Sequence, residues 1–503
     1  VLKDMKIKIY VGPTWIRIPC DKQGLIDGIY DVGSFIKDNL RQREWNPRFN
    51  CYVTTYNFSH YDLLKRQGIL PRFALEPLKE YLGADITFEE ITVKPVEIKN
   101  KFKNVKIRPQ FQPRDEQKDL IEFLTSDDQF TPLSAQCGVG KTFCSIYAAV
   151  KNGGPIMIVL GLLITQWYKA LKQFTNITKG DIVVVQGFDT LKNLWDMLEA
   201  GYKPKVVIFS TRTLFMYAVS RPSPYDSLPS YKKLQESIGF ATKIFDECHL
   251  NFYANTQIDL QSSISHNIYL SATYMRSDPQ GKKIFNLVFP PEKRFGEQQV
   301  KKYSTVLMVE YRLSLFPTVN RKVSRQQGYL HALYEKYLLK HRSSYFDTFA
   351  TEVIIPLIRM YYLNIKKEHQ KMLILCKTKA FVEALADYIK PYMKDTKVSV
   401  YFSGDSGKAG KQKNLESDII VSTTNSCSTG VDIKGLKTCI NTVSFSSEPQ
   451  AAQILGRLRE IPGEDTYFID LWCSDLSAHC WHKRNRAKVY KERALRMTEF
   501  TIR

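Results

Sequence analysis

The chain has 503 residues, 44% hydrophobic and 24% charged. That ordinary globular composition excludes a collagen-like, coiled-coil or disordered chain, and at roughly 150 residues per domain it allows about three domains. Lysine and arginine outnumber aspartate and glutamate by 72 to 51, a net charge of +21, and so large an excess favours a polyanionic partner, nucleic acid or an anionic membrane surface.

The longest apolar run, 156–164, is far short of the roughly 20 residues that span a bilayer. The first residues show no apolar segment of the signal-peptide kind. Ten cysteines without a CxxC pair argue against a disulfide scaffold or a structural zinc site. A soluble protein of the reducing cytoplasm, without membrane contact, is expected.

In chain order, residues 1–105 read as a small α+β unit. Met5, Ile7, Ile9 and Val11 alternate with polar residues, and 15–18 follow a Gly-Pro turn, which predicts a hairpin. A short helix is expected at 33–42. A helical stretch punctuated by Pro71 and Pro77 ends near Gly83, and 86–93 is strand-like. Residues 94–108, rich in lysine and without periodicity, read as a linker.

From 109 onward, short apolar runs alternate with helical ones. Strands are expected at 156–160, 182–185, 206–209, 244–245 and 268–270, then at 372–376, 398–402, 419–421, 439–445 and 467–471. Runs this continuously apolar belong to strands covered on both faces, hence to parallel sheets. The expected architecture is α/β: parallel-sheet domains at 106–295 and 371–480, a helical elaboration at 296–370 and a basic C-terminal helix at 481–503, net charge +6.

Ser134-Ala135-Gln136-Cys137-Gly138-Val139-Gly140-Lys141-Thr142 lies between an apolar strand and a helical stretch. Glycines 138 and 140 let the backbone curl around phosphate oxygens, with Val139 between them. Lys141 adds charge at the β/γ-phosphates, and Thr142 offers a hydroxyl to Mg²⁺. The strict pattern has glycine where this chain has Ala135. About a hundred residues on, Ile244-Phe245-Asp246-Glu247-Cys248-His249 ends an apolar strand in an acid pair. Asp246 suits Mg²⁺, Glu247 suits a hydrolytic water, and His249 could couple them to Ser271-Ala272-Thr273 at the end of the next strand. Gln453 to Arg459 places Arg457 and Arg459 in the second half, where arginines can neutralise charge on a γ-phosphate.

This ordered set resembles the superfamily 2 helicases of the DExH kind. The likeness begins at Arg114-Asp115-Glu116-Gln117 and runs through the phosphate loop, Gln166-Trp167, Ser210-Thr211-Arg212, Asp246 to His249 and Ser271 to Thr273. It continues through Leu375 to Thr378, Ser422 to Thr424, Thr429 to Asp432 and Gln453 to Arg459, covering 109 to about 475. It implies two RecA-like domains and ATP and Mg²⁺ as cofactors. Arg114 and Gln117 would lie at the nucleotide, Gln117 reading adenine. Lys141, Thr142 and Asp246 would form one wall of the ATP site, and Arg457, Gly430 and Asp432 the other. Arg459 stands two residues after Arg457, where the family spacing is three and places Glu460 instead.

Single-stranded nucleic acid would contact Thr211, Arg212, Lys377 and Thr423; the alternative for Thr423 is a strand-end hydroxyl. Trp45-Asn46-Pro47-Arg48-Phe49 and Gly68 to Leu75 resemble the leading domain of UvsW-like phage branch-migration helicases. Taken alone, Asn46 to Phe49 reads as an ordinary turn with a core Phe. The resemblance implies branched or forked DNA as partner, in the host bacterial cytoplasm if the protein is phage-encoded. The alternative is an RNA-directed DExH ATPase.

Overall fold

Alternation of apolar and polar residues sets the first sheet. In the computed structural model, Lys6–Val11 buries Ile7 and Ile9 and leaves Lys6 and Lys8 exposed. The structure describes residues 6–26, 30–46, 48–83, 86–102, 104–135, 138–161, 163–272, 274, 278–296, 302–325, 328–402, 414–428 and 433–502. The chain divides into two units, Val1–Gln299 and Val300–Arg503.

In the first unit, the leading sheet runs His60–Asp62, Gln67–Pro71, Trp15–Pro19, Lys6–Val11, Thr87–Thr92. The expected hairpin of Lys6–Val11 with Trp15–Pro19 is present and antiparallel. Helices Val32–Asn39 and Leu75–Leu82 close its apolar face. The leader shares one core with the rest of the unit, because Phe58 packs on Phe252 at 4.9 Å between ring centroids. Trp15 Nε1 also donates to the Ser262 carbonyl at 2.6 Å, and Thr14 Oγ1 to that of Asp259 at 2.8 Å. The lysine-rich stretch after it runs extended and bonded along the unit: Val96 N–H donates to the Ser263 carbonyl and Phe102 N–H to that of Gly153.

The second sheet of this unit is wholly parallel, in the order Phe130–Ser134, His266–Ser271, Thr242–Asp246, Ile156–Leu160, Val206–Ser210, Ile182–Val185. Pro132 is tolerated because its strand is at the sheet edge.

The second unit has a seven-stranded parallel sheet, ordered Val398–Tyr401, Ile419–Thr423, Lys371–Cys376, Leu436–Asn441, Thr466–Cys473, Ser304–Tyr311, Arg496–Thr501. Two of these strands correct the sequence reading. Ser304–Tyr311 falls inside the stretch expected to be helical; its buried Val306 to Val309 is a short apolar run, which periodicity alone does not assign. The C-terminal helix runs Ser477–Arg493 and gives way to edge strand Arg496–Thr501, whose half-buried Met497 and Phe500 pack on opposite faces of the sheet. The former stretch also holds a short antiparallel ribbon, Ser324–Arg325 with Gly328–Tyr329, and is helical in His331–Lys340 and several π-helical turns.

Candidate nucleotide site

The loop leaving Phe130–Ser134 turns through Gly138 and Gly140 with φ of 96° and 97°, in the left-handed region that favours glycine. A Cβ on Gly140 would stand 2.4 Å from Gln117 Nε2. That amide donates to the Val139 carbonyl at 2.7 Å, and Arg114 Nη2 donates to the carbonyls of Val139 and Gly138 at 2.8 and 3.3 Å. Gln117 Oε1 accepts the Arg114 backbone N–H at 3.0 Å. Arg114 and Gln117 thus fix the loop's shape by satisfying its carbonyls. Gln136 and Cys137 lie outside the described residues.

Helix Lys141–Asn152 follows directly. Lys141 Nζ donates to the Ala135 carbonyl at 2.7 Å, so the lysine folds back over its own loop. Thr142 is the second helical residue and half-buried.

Asp246 ends strand Thr242–Asp246. Its Oδ2 accepts Trp167 Nε1 at 2.8 Å and its Oδ1 accepts the Glu247 backbone N–H at 2.9 Å. Burial and then the Glu247 charge push the Asp246 carboxyl up to about 6, against Trp167 and the Lys141 ammonium. The loop lysine and the acid therefore interact, as expected where parallel strands end on one edge of a sheet.

Glu247 has φ of 48°, a conformation that costs a non-glycine residue about 1–3 kcal/mol and tends to occur at functional sites. Its Oε2 makes no hydrogen bond and lies 3.5 Å from His249 Nδ1. His249 Nδ1 meets Ser271 Oγ at 2.9 Å. The expected coupling of the acid pair to the next strand end is therefore present as a contact. Thr273 of that motif lies outside the described residues.

The donor set fits a magnesium nucleotide. Lys141 and the glycine loop would hold phosphates, Thr142 and Asp246 the metal, and Glu247 a water. No group of three His, Cys, Asp or Glu side chains among the described residues could hold a metal by itself.

The other expected site residues divide. Arg212 is exposed at the start of helix Thr211–Phe215, while Thr211 is buried. Lys377 and Thr378 precede helix Lys379–Ile389. Their backbone N–H groups donate to Glu335 Oε1 and Oε2 at 2.6 and 2.7 Å, and Thr378 Oγ1 also donates to Oε2 at 2.7 Å. Thr423 Oγ1 donates to Ser426 Oγ at 2.9 Å and accepts the Ser426 N–H at 3.1 Å, a strand-end arrangement. Arg457 and Arg459 follow helix Glu448–Leu455 and its C-cap Gly456, with Arg457 Nε and Arg459 Nη1 both buried. Gly430 and Asp432 lie outside the described residues.

Two partners escaped the sequence reading: Trp167 as donor to Asp246, and Glu335 as brace for Lys377 and Thr378. The one available signal was the indole, since a buried Trp N–H usually finds an acceptor.

No family model matches the sequence, and no curated protein matches it. Solved structures do. An ATP-dependent type ISP restriction-modification enzyme, LlaBIII bound to DNA, matches with a TM-score of 0.52 at 12% identity over 83% of this chain and 33% of that one. Both units have a RecA-like fold. The chain is also similar to T4 UvsW, at 15% identity over 99% of each chain with a TM-score of 0.36. Dbp5 of S. cerevisiae, bound to RNA and ADP BeF3, matches at 13% identity over 78% of this chain and 90% of that one, with a TM-score of 0.48. In a RecA-like sheet the C-terminal strand edge is where ligands bind, and that edge carries the glycine loop, Asp246 and Ser271.

Proposed function

We propose that the protein is an ATP-driven nucleic-acid motor of the DExH kind that remodels branched DNA, by branch migration, fork regression or junction unwinding. The observation that carries the motor reading is the contact chain at one sheet edge. Asp246, at the end of its strand, adjoins Glu247, Glu247 reaches Ser271 through His249, and Lys141 folds over the glycine loop of the same sheet. ATP hydrolysis needs such a set: a cation for the phosphates, a carboxylate for the metal and a second carboxylate for the water.

When bound, Mg²⁺ would neutralise charge on the phosphates. Trp167 and the Glu247 N–H aim the Asp246 carboxylate, and the unbonded Glu247 Oε2 is free to accept a proton from a water. The His249–Ser271 contact carries any shift of the acid pair to the next strand end. Arg457 is assigned the γ-phosphate charge on its place in the motif order. Arg212 and Lys377 supply strand-phosphate charge, which makes binding weaken with salt.

The DNA-bound type ISP enzyme and the likeness of the leading segment to UvsW-like helicases support DNA as the track. The test is unwinding of forked, four-way and RNA-containing duplexes side by side. Branched DNA should be opened fastest; equal or faster opening of RNA-containing duplexes overturns the DNA assignment and favours the RNA-directed reading.

A further inference from the structure

Strands Arg41–Asn46 and Cys51–Asn57 form a two-stranded sheet of their own, apart from the leading sheet. Trp45 pairs with Tyr52 and Arg43 with Thr54, which puts these side chains on one face. The register shift after Gln42 pairs Tyr56 with Gln42, on the other face, at the base of the hairpin.

That face is exposed and aromatic. Trp45 is 49% exposed and Tyr52 68%, and Phe49, beyond the first strand, is 65% exposed. The core Phe expected from the sequence is therefore a surface ring. Trp45 and Tyr52 meet edge to face at 5.1 Å, and the Arg48 guanidinium lies over Phe49 at 5.8 Å.

The base of the hairpin is firmly mounted. Tyr56 packs on Tyr253 at 5.0 Å, and Gln280 Nε2 donates to the Arg41 carbonyl at 3.2 Å. Tyr253 lies in the helix after the acid motif, and Gln280 in the helix after Ser271.

Three exposed rings within eight residues, on a hairpin held at its base, call for an occupant. We propose that this face is a stacking platform for unpaired nucleobases, an inference that rests on the motor reading above. Three observations select this occupant over a protein. The face carries rings without aliphatic anchors, and base–aromatic stacking needs only a ring. Arg43 and Arg48 stand beside the rings, where the phosphates of a stacked strand would pass. The segment 41–57 is net +2 in a chain of +21, a poor match to another copy of itself. Unpaired bases are specified because a base pair in duplex hides its faces within the stack.

The test is binding without ATP of a thymidine single strand and of an abasic strand of equal length, by the whole protein and by its Trp45→Ala/Tyr52→Ala variant. Both side chains are exposed, so thermal melting should not move, and Trp45→Phe/Tyr52→Phe supplies a second variant that keeps the rings. The protein should favour the base-bearing strand about tenfold. The alanine variant should lose most of that preference, the phenylalanine variant should keep it, and affinity for the abasic strand should change little. An alanine variant with the original preference overturns the platform, as does one that keeps the preference and loses only self-association. Either result leaves the motor intact if single strands still stimulate ATP turnover. Absence of that stimulation overturns the motor whatever the hairpin variants do.

Discussion

Trp167 Nε1 donates to Asp246 Oδ2 at 2.8 Å from an indole only 1% exposed. A carboxylate aimed in advance does not have to be reoriented when the metal arrives, which is how fixed dipoles assist catalysis.

Trp167→Phe keeps the buried ring and removes only the donor. A hydrogen bond to a charged group contributes about 1.5–3 kcal/mol, so saturated ATP turnover should fall about tenfold or more. The magnesium concentration for half-maximal rate should rise, with little change in melting. Magnesium titrations of turnover for both proteins check this; an unchanged magnesium requirement removes Trp167 from the positioning of Asp246.

Glu247→Gln should bind ATP and hydrolyse it far more slowly, by about a hundredfold or more, within the range general-base catalysis contributes. Nucleotide affinity and single-turnover rate are measured separately. Lost affinity with an unchanged saturated rate contradicts the water-orienting role.

The C-terminal helix is basic, as expected, yet its Arg486 is fully buried. Its Nε donates to Asp470 Oδ2 at 2.8 Å and its Nη1 to the Phe445 carbonyl at 2.8 Å, while Asn441 Nδ2 donates to Asp470 Oδ1 at 2.7 Å. Removing one partner of a buried ion pair costs about 3–5 kcal/mol. Asp470→Asn should destabilise the second unit by that order in denaturant unfolding. A loss below about 1 kcal/mol, the scale of an exposed pair, would show that the pair contributes little.

Three histidines of the second unit surround Tyr329, His331 and His479 buried and His482 half-buried. Its hydroxyl meets His331 Nδ1 at 2.8 Å and His479 Nε2 at 2.6 Å, and the His482 ring meets the Tyr329 ring edge to face at 5.6 Å. Burial first, and then the charge of Arg486, pushes His331 down to about 3 and His482 to about 4; burial also holds His479 well below its ordinary range. In the unfolded chain these imidazoles titrate near 6.5, so the unfolded state takes up protons first. Stability is therefore lost as pH falls below about 6.5, by about 1.4 kcal/mol per pH unit for each group. Glu335, raised by burial to about 7, and Asp470, also raised by burial, act oppositely, losing stability as pH rises from their ordinary range, but two groups oppose three. Melting of the second unit should drop between pH 7 and pH 5, and His482→Gln should flatten the slope. Melting independent of pH over that interval contradicts the assignment of these histidines as neutral in the folded protein.

The apolar runs at 156–160 and 182–185 coincide with strands because both faces of those strands are covered, so no polar residue interrupts them. Ser304–Tyr311 was hidden by its setting, a short apolar run beside helical sequence. The phosphate loop and acid pair were legible because each is local: a few adjacent residues specify the turn and the charges. Trp167 with Asp246 and Glu335 with Lys377 are 79 and 42 residues apart, and only the fold brings them together. Phe49 misled because a lone aromatic in a turn reads as core, whereas here the turn projects it outward.

The most direct measurement is ATP turnover with and without single-stranded DNA, for the protein and for Lys141→Ala. A nucleic-acid motor should turn over ATP about tenfold faster or more on adding the strand. The variant should show no turnover above background and should still bind the strand, because its binding charge lies elsewhere. Turnover indifferent to nucleic acid, or near-normal turnover by Lys141→Ala, would contradict the motor assignment.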